Sequence, residues 1–293
     1  MRPARSVTGK EAVTMNVVME AIRNIFAYEF LLRAVIVGTL ISVCAALLGV
    51  SLVLKRFSMM GDGLSHIGFG ALAVSVAFGV SSMAVSLPVV IAVTFLMLWL
   101  GDKGKMRGDA LIGLMSTGAL AIGVMVVSIS GTNVNLMDFL FGSVFALTQG
   151  DVYISLCLAI PVLVLFVLFY HKIFAVTFDG GFARATGIRT GLYTSLIAIL
   201  TAVTIVIGMR FMGALLISGL VVFPPLTAMQ LCKKFRNVVL CAAALSGLSF
   251  FLGMVLCVAI PNCPAGAGVI CVNLVLFLLF SLLARVRRLV AKD

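Results

Sequence analysis

Asp62 and His66 stand four residues apart in MGDGLSHIGFG, residues 60–70. On an α-helix that spacing puts both side chains on one face. A carboxylate beside an imidazole can hold a divalent cation, and this O/N donor set suits Mn, Fe or Zn better than soft Cu(I) or hard Ca. The same groups can instead bond each other, relay protons, or, with Asp62 paired to Arg210, lock two helices together. These readings stay open on the residues alone. Enzyme chemistries are poorly served. The only histidines are His66 and His171, and neither sits in H-E-x-x-H. Ser65 adjoins His66, but adjacent residues on a helix do not face each other, so no nucleophile–base pair forms there. There is no G-x-x-x-x-G-K-[ST], so this chain does not hydrolyse ATP itself.

The elements that carry the pair are set by an apolar composition. The 293 residues are 62% hydrophobic and 11% charged, and the mean hydropathy is +1.25. A soluble domain carries about a quarter charged residues. One globule cannot hide this much apolar surface from water, so lipid is the expected solvent. The net charge of +11 does not point to nucleic acid, because the basic residues fall in short clusters between apolar runs. Runs near the length of a spanning helix cover about 30–54, 62–80, 83–100, 110–130, 151–170, 191–209, 211–231, 238–260 and 266–284. The expected fold is an all-α polytopic bundle of eight or nine spans. Residues 135–151, NLMDFLFGSVFALTQGD, are too short to span and too apolar for a loop, and predict a re-entrant or interfacial segment.

Asp62 and His66 fall one to two turns into the second run. Their face continues through Gly70, Ala73 and Ala77, and other faces carry Gly61, Gly63, Ser65, Gly68 and Ala71. So thin a helix packs backbone against neighbours and belongs inside a bundle, which predicts that the pair points into protein or a cavity. Met59, Met60 and Met212 read as packing.

The basic residues orient the chain. Alternate loops hold Lys55 and Arg56, then Lys103, Lys105 and Arg107, then Lys172, Arg184 and Arg189, then Lys233, Lys234 and Arg236, then the C-terminal Arg285, Arg287, Arg288 and Lys292; the opposite loops hold only Arg210. That asymmetry makes the first set cytoplasmic, with the N-terminus outside and the C-terminus inside. Arg2, Arg5, Lys10, Arg23 and Arg33 then fall on the minority side, which suits a tail over 1–29 whose residues 16–29 form an amphipathic helix on the membrane. No cleavable signal is evident before Phe30, and Met15 is a second possible start. The expected organisation is this tail, a permease domain over 30–285 with a cytoplasmic segment at 171–190, and a basic tail at 286–293.

Two further stretches are informative. In the cytoplasmic segment Asp179 can cap a short helix from about Gly180 to Thr186, with Gly187 as its stop; Phe178 and Phe182 offer apolar anchors and Arg184 a charge. Such a helix could equally be a plain connector. Pro224 and Pro225 remove backbone donors from the seventh run, predicting either a broken helix near a substrate path or a tolerated kink. The seven cysteines are scattered, lack C-x-x-C, and read as small buried hydrophobes.

KRFSMMGDGLSHIGFGALAVSVAFG, residues 55–79, resembles the signature of the membrane subunits of bacterial ABC importers for zinc, manganese and related metals: a basic pair, then M-G-D-x-x-x-H, then a small-residue helix. FDGGFARATG, 178–187, is similar to that family's F-D-P-E-x-A-x-x-x-G. MRFMGALLISGLVVFPPLTAMQL, 209–231, is similar to its G-x-L-L-x-x-x-L-L-x-x-P-A-x-T-A, and FLFGSVFALT, 139–148, to its L-F-G run. The ordered set spans about residues 30–285. The resemblance implies a bundle like that of the vitamin B12 permease, in a bacterial inner membrane. It implies a homodimer seated on a separate ABC ATPase that binds the ATP, and an extracellular solute-binding protein that delivers the metal. It makes Asp62 and His66 metal ligands, and assigns Phe178, Asp179, Phe182, Arg184 and Gly187 to the coupling helix. Gly180-Gly181 departs from the family's Pro-Glu and predicts a later or looser start to that helix. The rival is a proton-coupled secondary metal transporter using Asp62 and His66 as ligand and relay.

Overall fold

The computed structural model describes residues 19–80, 82–102, 108–131, 140, 142, 148–260 and 263–290. Among them there are helices and no strands. After a helical stretch over 19–27 come α1 (Glu29–Leu54), α2 (Met60–Ala77), α3 (Ser82–Asp102), α4 (Gly108–Ser130), α5 (Gln149–Leu168), α6 (Tyr170–Phe178), α7 (Gly180–Ala185), α8 (Thr190–Met212), α9 (Ala214–Leu231), α10 (Phe235–Ala259) and α11 (Ala265–Val290). Every apolar run has become a helix. Seven are long and apolar enough to cross a membrane: α1, α4, α5, α8, α9, α10 and α11. The apolar part of α3, Met83–Met97, is shorter. The 18 residues of α2 rise about 27 Å, close to the hydrocarbon thickness, but Asp62 and His66 dilute its apolar character. The chain is an all-α, multi-pass membrane protein.

α1 is the axis of the bundle, packed by α5, α8, α9 and α10. Its small residues let neighbours close in. At Gly38 a Cβ would strike the ring of Phe250 on α10, and at Gly49 the carbonyl of Val221 on α9. α2 is enclosed on other sides by α3, α4, α8 and α9. By contrast α11 turns Leu274, Leu278 and Leu282 outward, as a lipid-facing helix does.

Of the two proline readings, the structure shows the unbroken helix. α9 runs through Pro224 and Pro225 as one α-helix, with both prolines buried. The carbonyl that Pro225 leaves without its intrahelical partner is that of Val221, and this oxygen lies against the bare backbone of Gly49. The chain instead turns at Gly213, φ +90°, between α8 and α9.

Three helix ends close by the left-handed Schellman arrangement. After α1, Phe57 N–H bonds the Leu52 carbonyl and Arg56 N–H that of Val53, with Arg56 at φ +62°. Gly79 does the same after α2 and Gly187 after α7. The N-terminal stretch is helical over 19–27 and buries Ala21 and Ile25 against Val255 of α10, with Met19 and Phe26 exposed. Most of the expected re-entrant segment 135–151 lies outside the described residues. The cysteine reading also needs correction: only Cys44 and Cys257 are buried, whereas Cys157 and Cys271 are exposed on outward faces and Cys232, Cys241 and Cys263 are intermediate.

Candidate metal site and capped helix

α2 positions the first candidate site. Lys55 and Arg56 end α1, the Schellman turn reverses the chain, and α2 starts at Met60, so Asp62 falls in its first turn. His66 follows one turn later, its Nε2 3.6 Å from Asp62 Oδ2. The helix is held by its small positions. A Cβ at Gly63 would meet Ile112 of α4, at Gly68 Met209 of α8, and at Gly70 the Ala119 carbonyl of α4.

That packing leaves the pair at the surface of the single chain. The pair does not point into the interior of the single chain: the Asp62 side chain is 53% exposed and that of His66 27%. The glycine faces of α2 take the neighbouring helices, and the Asp62 end of the remaining face is left uncovered. Nδ1 of His66 is nevertheless buried with no hydrogen-bond partner. Among the described residues no group of three or more His, Cys, Asp or Glu side chains comes together. Asp62 and His66 therefore offer one carboxylate and one imidazole on an open face.

The proposed lock between Asp62 and Arg210 is absent. Arg210 lies near the end of α8 and meets Asp151 in the first turn of α5, Nη2 to Oδ1 3.5 Å, with its guanidinium 5.6 Å from the Phe211 ring centre. Asp151 also closes a capping box with Thr148: its Oδ2 accepts from the Thr148 N–H at 3.2 Å, and the Thr148 hydroxyl accepts from the Asp151 N–H at 3.3 Å. Asp151 was missed in the sequence, although Thr and Asp three residues apart before an apolar run is a legible cap.

The second candidate site is the elbow of α6 and α7. Asp179 Oδ1 accepts the Phe182 N–H at 2.9 Å and starts α7 at Gly180. The later start expected from Gly180-Gly181 does not occur, because the cap supplies the acceptor that the first turn needs. Phe178 is 60% and Phe182 67% exposed. Arg184 is turned back toward α8, with Nε and Nη2 each 3.4 Å from the Thr190 hydroxyl. Phe178 has a second contact that the sequence did not suggest. With Phe174 and Tyr170 it surrounds Phe235 at the start of α10, centroids 5.8, 5.0 and 5.6 Å away. The elbow thus grips the first residue of a long helix.

Against this geometry, the family model described as the ABC 3 transport family matches residues 27–284. This chain belongs to the ABC 3 transport family. Among curated relatives, the chain is 30% identical to a high-affinity zinc uptake system membrane protein, ZnuB, of Haemophilus influenzae, over 89% of this chain and 99% of that one. It is 26% identical to the manganese import system permease protein ScaB of Streptococcus gordonii, over 92% and 97%. Among solved structures it shares the fold of PsaBC from Streptococcus pneumoniae in complex with Fab, with a TM-score of 0.79 and 22% identity over 90% of this chain and 95% of that chain. An inward-facing metal-chelate type ABC transporter superposes with a TM-score of 0.69 at 14% identity over 88% and 87%.

Proposed function

We propose that this ABC 3 chain is the permease subunit of an ATP-driven importer for divalent transition-metal ions, Zn2+, Mn2+ or Fe2+, in a bacterial inner membrane. The observation that carries the reading is the Asp62–His66 pair: a carboxylate and an imidazole 3.6 Å apart, on one face of a helix whose glycines pack against its neighbours. Such donors suit a borderline cation, and a partly open face lets the cation exchange. Two ligands from one chain do not complete a coordination shell, and a second copy, facing the first across this open side, supplies another Asp62 and His66. The names of the curated relatives, zinc and manganese systems among them, support the same cargo class.

The chain carries no phosphate-binding loop, so its energy comes from a separate ABC ATPase that holds the ATP. The exposed Phe178 and Phe182 on the capped elbow are the surface offered to that subunit, with Asp179, Arg184 and Gly187 fixing its shape. The basic clusters support a cytoplasmic elbow and C-terminus, with Arg210 and Asp151 outside, where a solute-binding protein delivers metal. The deciding experiment is calorimetric titration of Mn2+ and of Zn2+ alone into the purified permease–ATPase complex. The wild type binds, and Asp62→Ala and His66→Ala each lose that binding; equal binding by both variants overturns the ligand assignment.

A further inference from the structure

The connection from α10 to α11 brings together two sulfurs that the proposed transport mechanism does not use. Cys257 is buried near the end of α10, and Cys263 lies six residues on, at the entry to α11. Their Sγ atoms are 3.1 Å apart. The space they share is made by Gly268 of α11: a Cβ there would overlap the Cys257 sulfur and come within 3.3 Å of that of Cys263. Nearby acceptors do not separate them, since the Cys257 sulfur is 3.7 Å from the Pro264 carbonyl and 3.9 Å from that of Ala265. A disulfide needs a sulfur separation of about 2.05 Å, so closure asks for an approach of about 1 Å.

We propose that Cys257 and Cys263 form a disulfide that staples the extracytoplasmic ends of α10 and α11. The inference rests on the orientation given above, in which Lys233, Lys234 and Arg236 mark the opposite, cytoplasmic end of α10. The extracytoplasmic compartment is oxidising and sustains disulfides; the cytoplasm does not. Each thiol gives up its proton and one S–S bond forms. The two electrons reduce the disulfide of a thiol-oxidising protein to its dithiol, by exchange through a mixed disulfide. Cys263, half-exposed, is the sulfur such an oxidant reaches first; Cys257, buried beneath it, then resolves the mixed bond. A second neighbouring pair, Cys232 and Cys241, lies at the cytoplasmic end of α10 and serves as an internal control that stays reduced.

The test is differential alkylation of the full-length chain, expressed in a bacterium with an oxidising periplasm. Whole cells are quenched in acid, unfolded, and treated with one maleimide. The protein is then reduced, treated with an isotopically distinct maleimide, and mapped by mass spectrometry. The expected result is the second label on Cys257 and Cys263 and the first on the other five cysteines, with the unreduced fragment lighter by two hydrogen atoms. Cys271→Ser leaves this pattern unchanged, and Cys263→Ser moves Cys257 to the first label. First label on both Cys257 and Cys263, or a bridge from either to Cys271, overturns the proposal. A parallel arm exposes intact cells to a membrane-impermeant reductant and maleimide. If Cys263 is free yet labelled from outside, the disulfide fails and the orientation stands. If it is labelled only after permeabilisation, the orientation fails and takes the disulfide with it.

Discussion

Arg210 and Asp151 meet across the ends of α8 and α5, guanidinium Nη2 to carboxylate Oδ1 3.5 Å. The same carboxylate closes the cap of α5 through Thr148. One acidic residue thus ties a helix start to a neighbouring helix end. Removing the cap hydroxyl by Thr148→Ala costs about 1 kcal/mol. Asp151→Ala costs more than Arg210→Ala, because it removes the bond from the Thr148 N–H as well as the ion pair, while the Thr148 hydroxyl still accepts the N–H of residue 151. Arg210→Ala costs least, since a partly exposed pair is worth about 0–1 kcal/mol. Thermal unfolding of the purified chain in detergent reads this order, and an Arg210→Ala loss exceeding that of Asp151→Ala contradicts it.

Asp62→Ala and His66→Ala each abolish metal uptake in cells, while membrane insertion stays at the wild-type level. Insertion survives because the close helix contacts of α2 are made at Gly63, Gly68 and Gly70 rather than at Asp62 and His66. Uptake of radiolabelled Mn2+ or Zn2+ beside quantitative membrane blotting separates the two effects. A variant that inserts and transports at the wild-type rate removes the pair from the pathway.

Phe182→Ala leaves the fold intact and uncouples the partner's ATP hydrolysis from uptake, since a 67%-exposed ring contributes little to this chain's own packing. Phe235→Ala acts differently. It empties the ring of Tyr170, Phe174 and Phe178, and a buried Phe→Ala change costs about 3–5 kcal/mol. ATPase rate and metal uptake of the reconstituted complex, measured together with thermal stability, distinguish the two. Loss of stability in Phe182→Ala contradicts the docking role.

Gly187 stops α7 at φ +83°, with its N–H on the Arg184 carbonyl. Gly187→Ala forces an L side chain into the left-handed region at a cost of about 1 kcal/mol. The strain falls on the short α7, so the effect appears as weaker retention of the ATPase on affinity-purified permease rather than as failure to insert.

Gly49→Ala destabilises the bundle by about 1–3 kcal/mol, because the new methyl meets the Val221 backbone carbonyl, which cannot step aside as a side chain would. Gly191→Ala, at a helical position with nothing near it, is neutral or slightly stabilising in the same melting assay.

The sequence by itself determined the helices, the alternation of basic loops, and the Asp62–His66 spacing. These are local or one-dimensional properties: apolar run length is set by lipid thickness, and a shared helical face by 3.6 residues per turn. It also determined the Asp179 cap, because capping depends on residues three apart. Tertiary structure alone decided which way each face looks. Glycines on α2 marked it as a close-packed helix, but only the positions of Ile112, Ala119 and Met209 show that the glycine sides take the neighbours and leave Asp62 outward. Arg210 had two carboxylates to choose between, and the juxtaposition of α5 and α8 gave it Asp151. Pro224 and Pro225 left a broken helix and a tolerated kink both open in one dimension, and the structure keeps one helix, with Gly49, on a distant stretch of chain, against the Val221 carbonyl. The reason is common to all three. A helix's existence follows from its own residues, whereas the environment of each face depends on partners that packing brings from far along the chain.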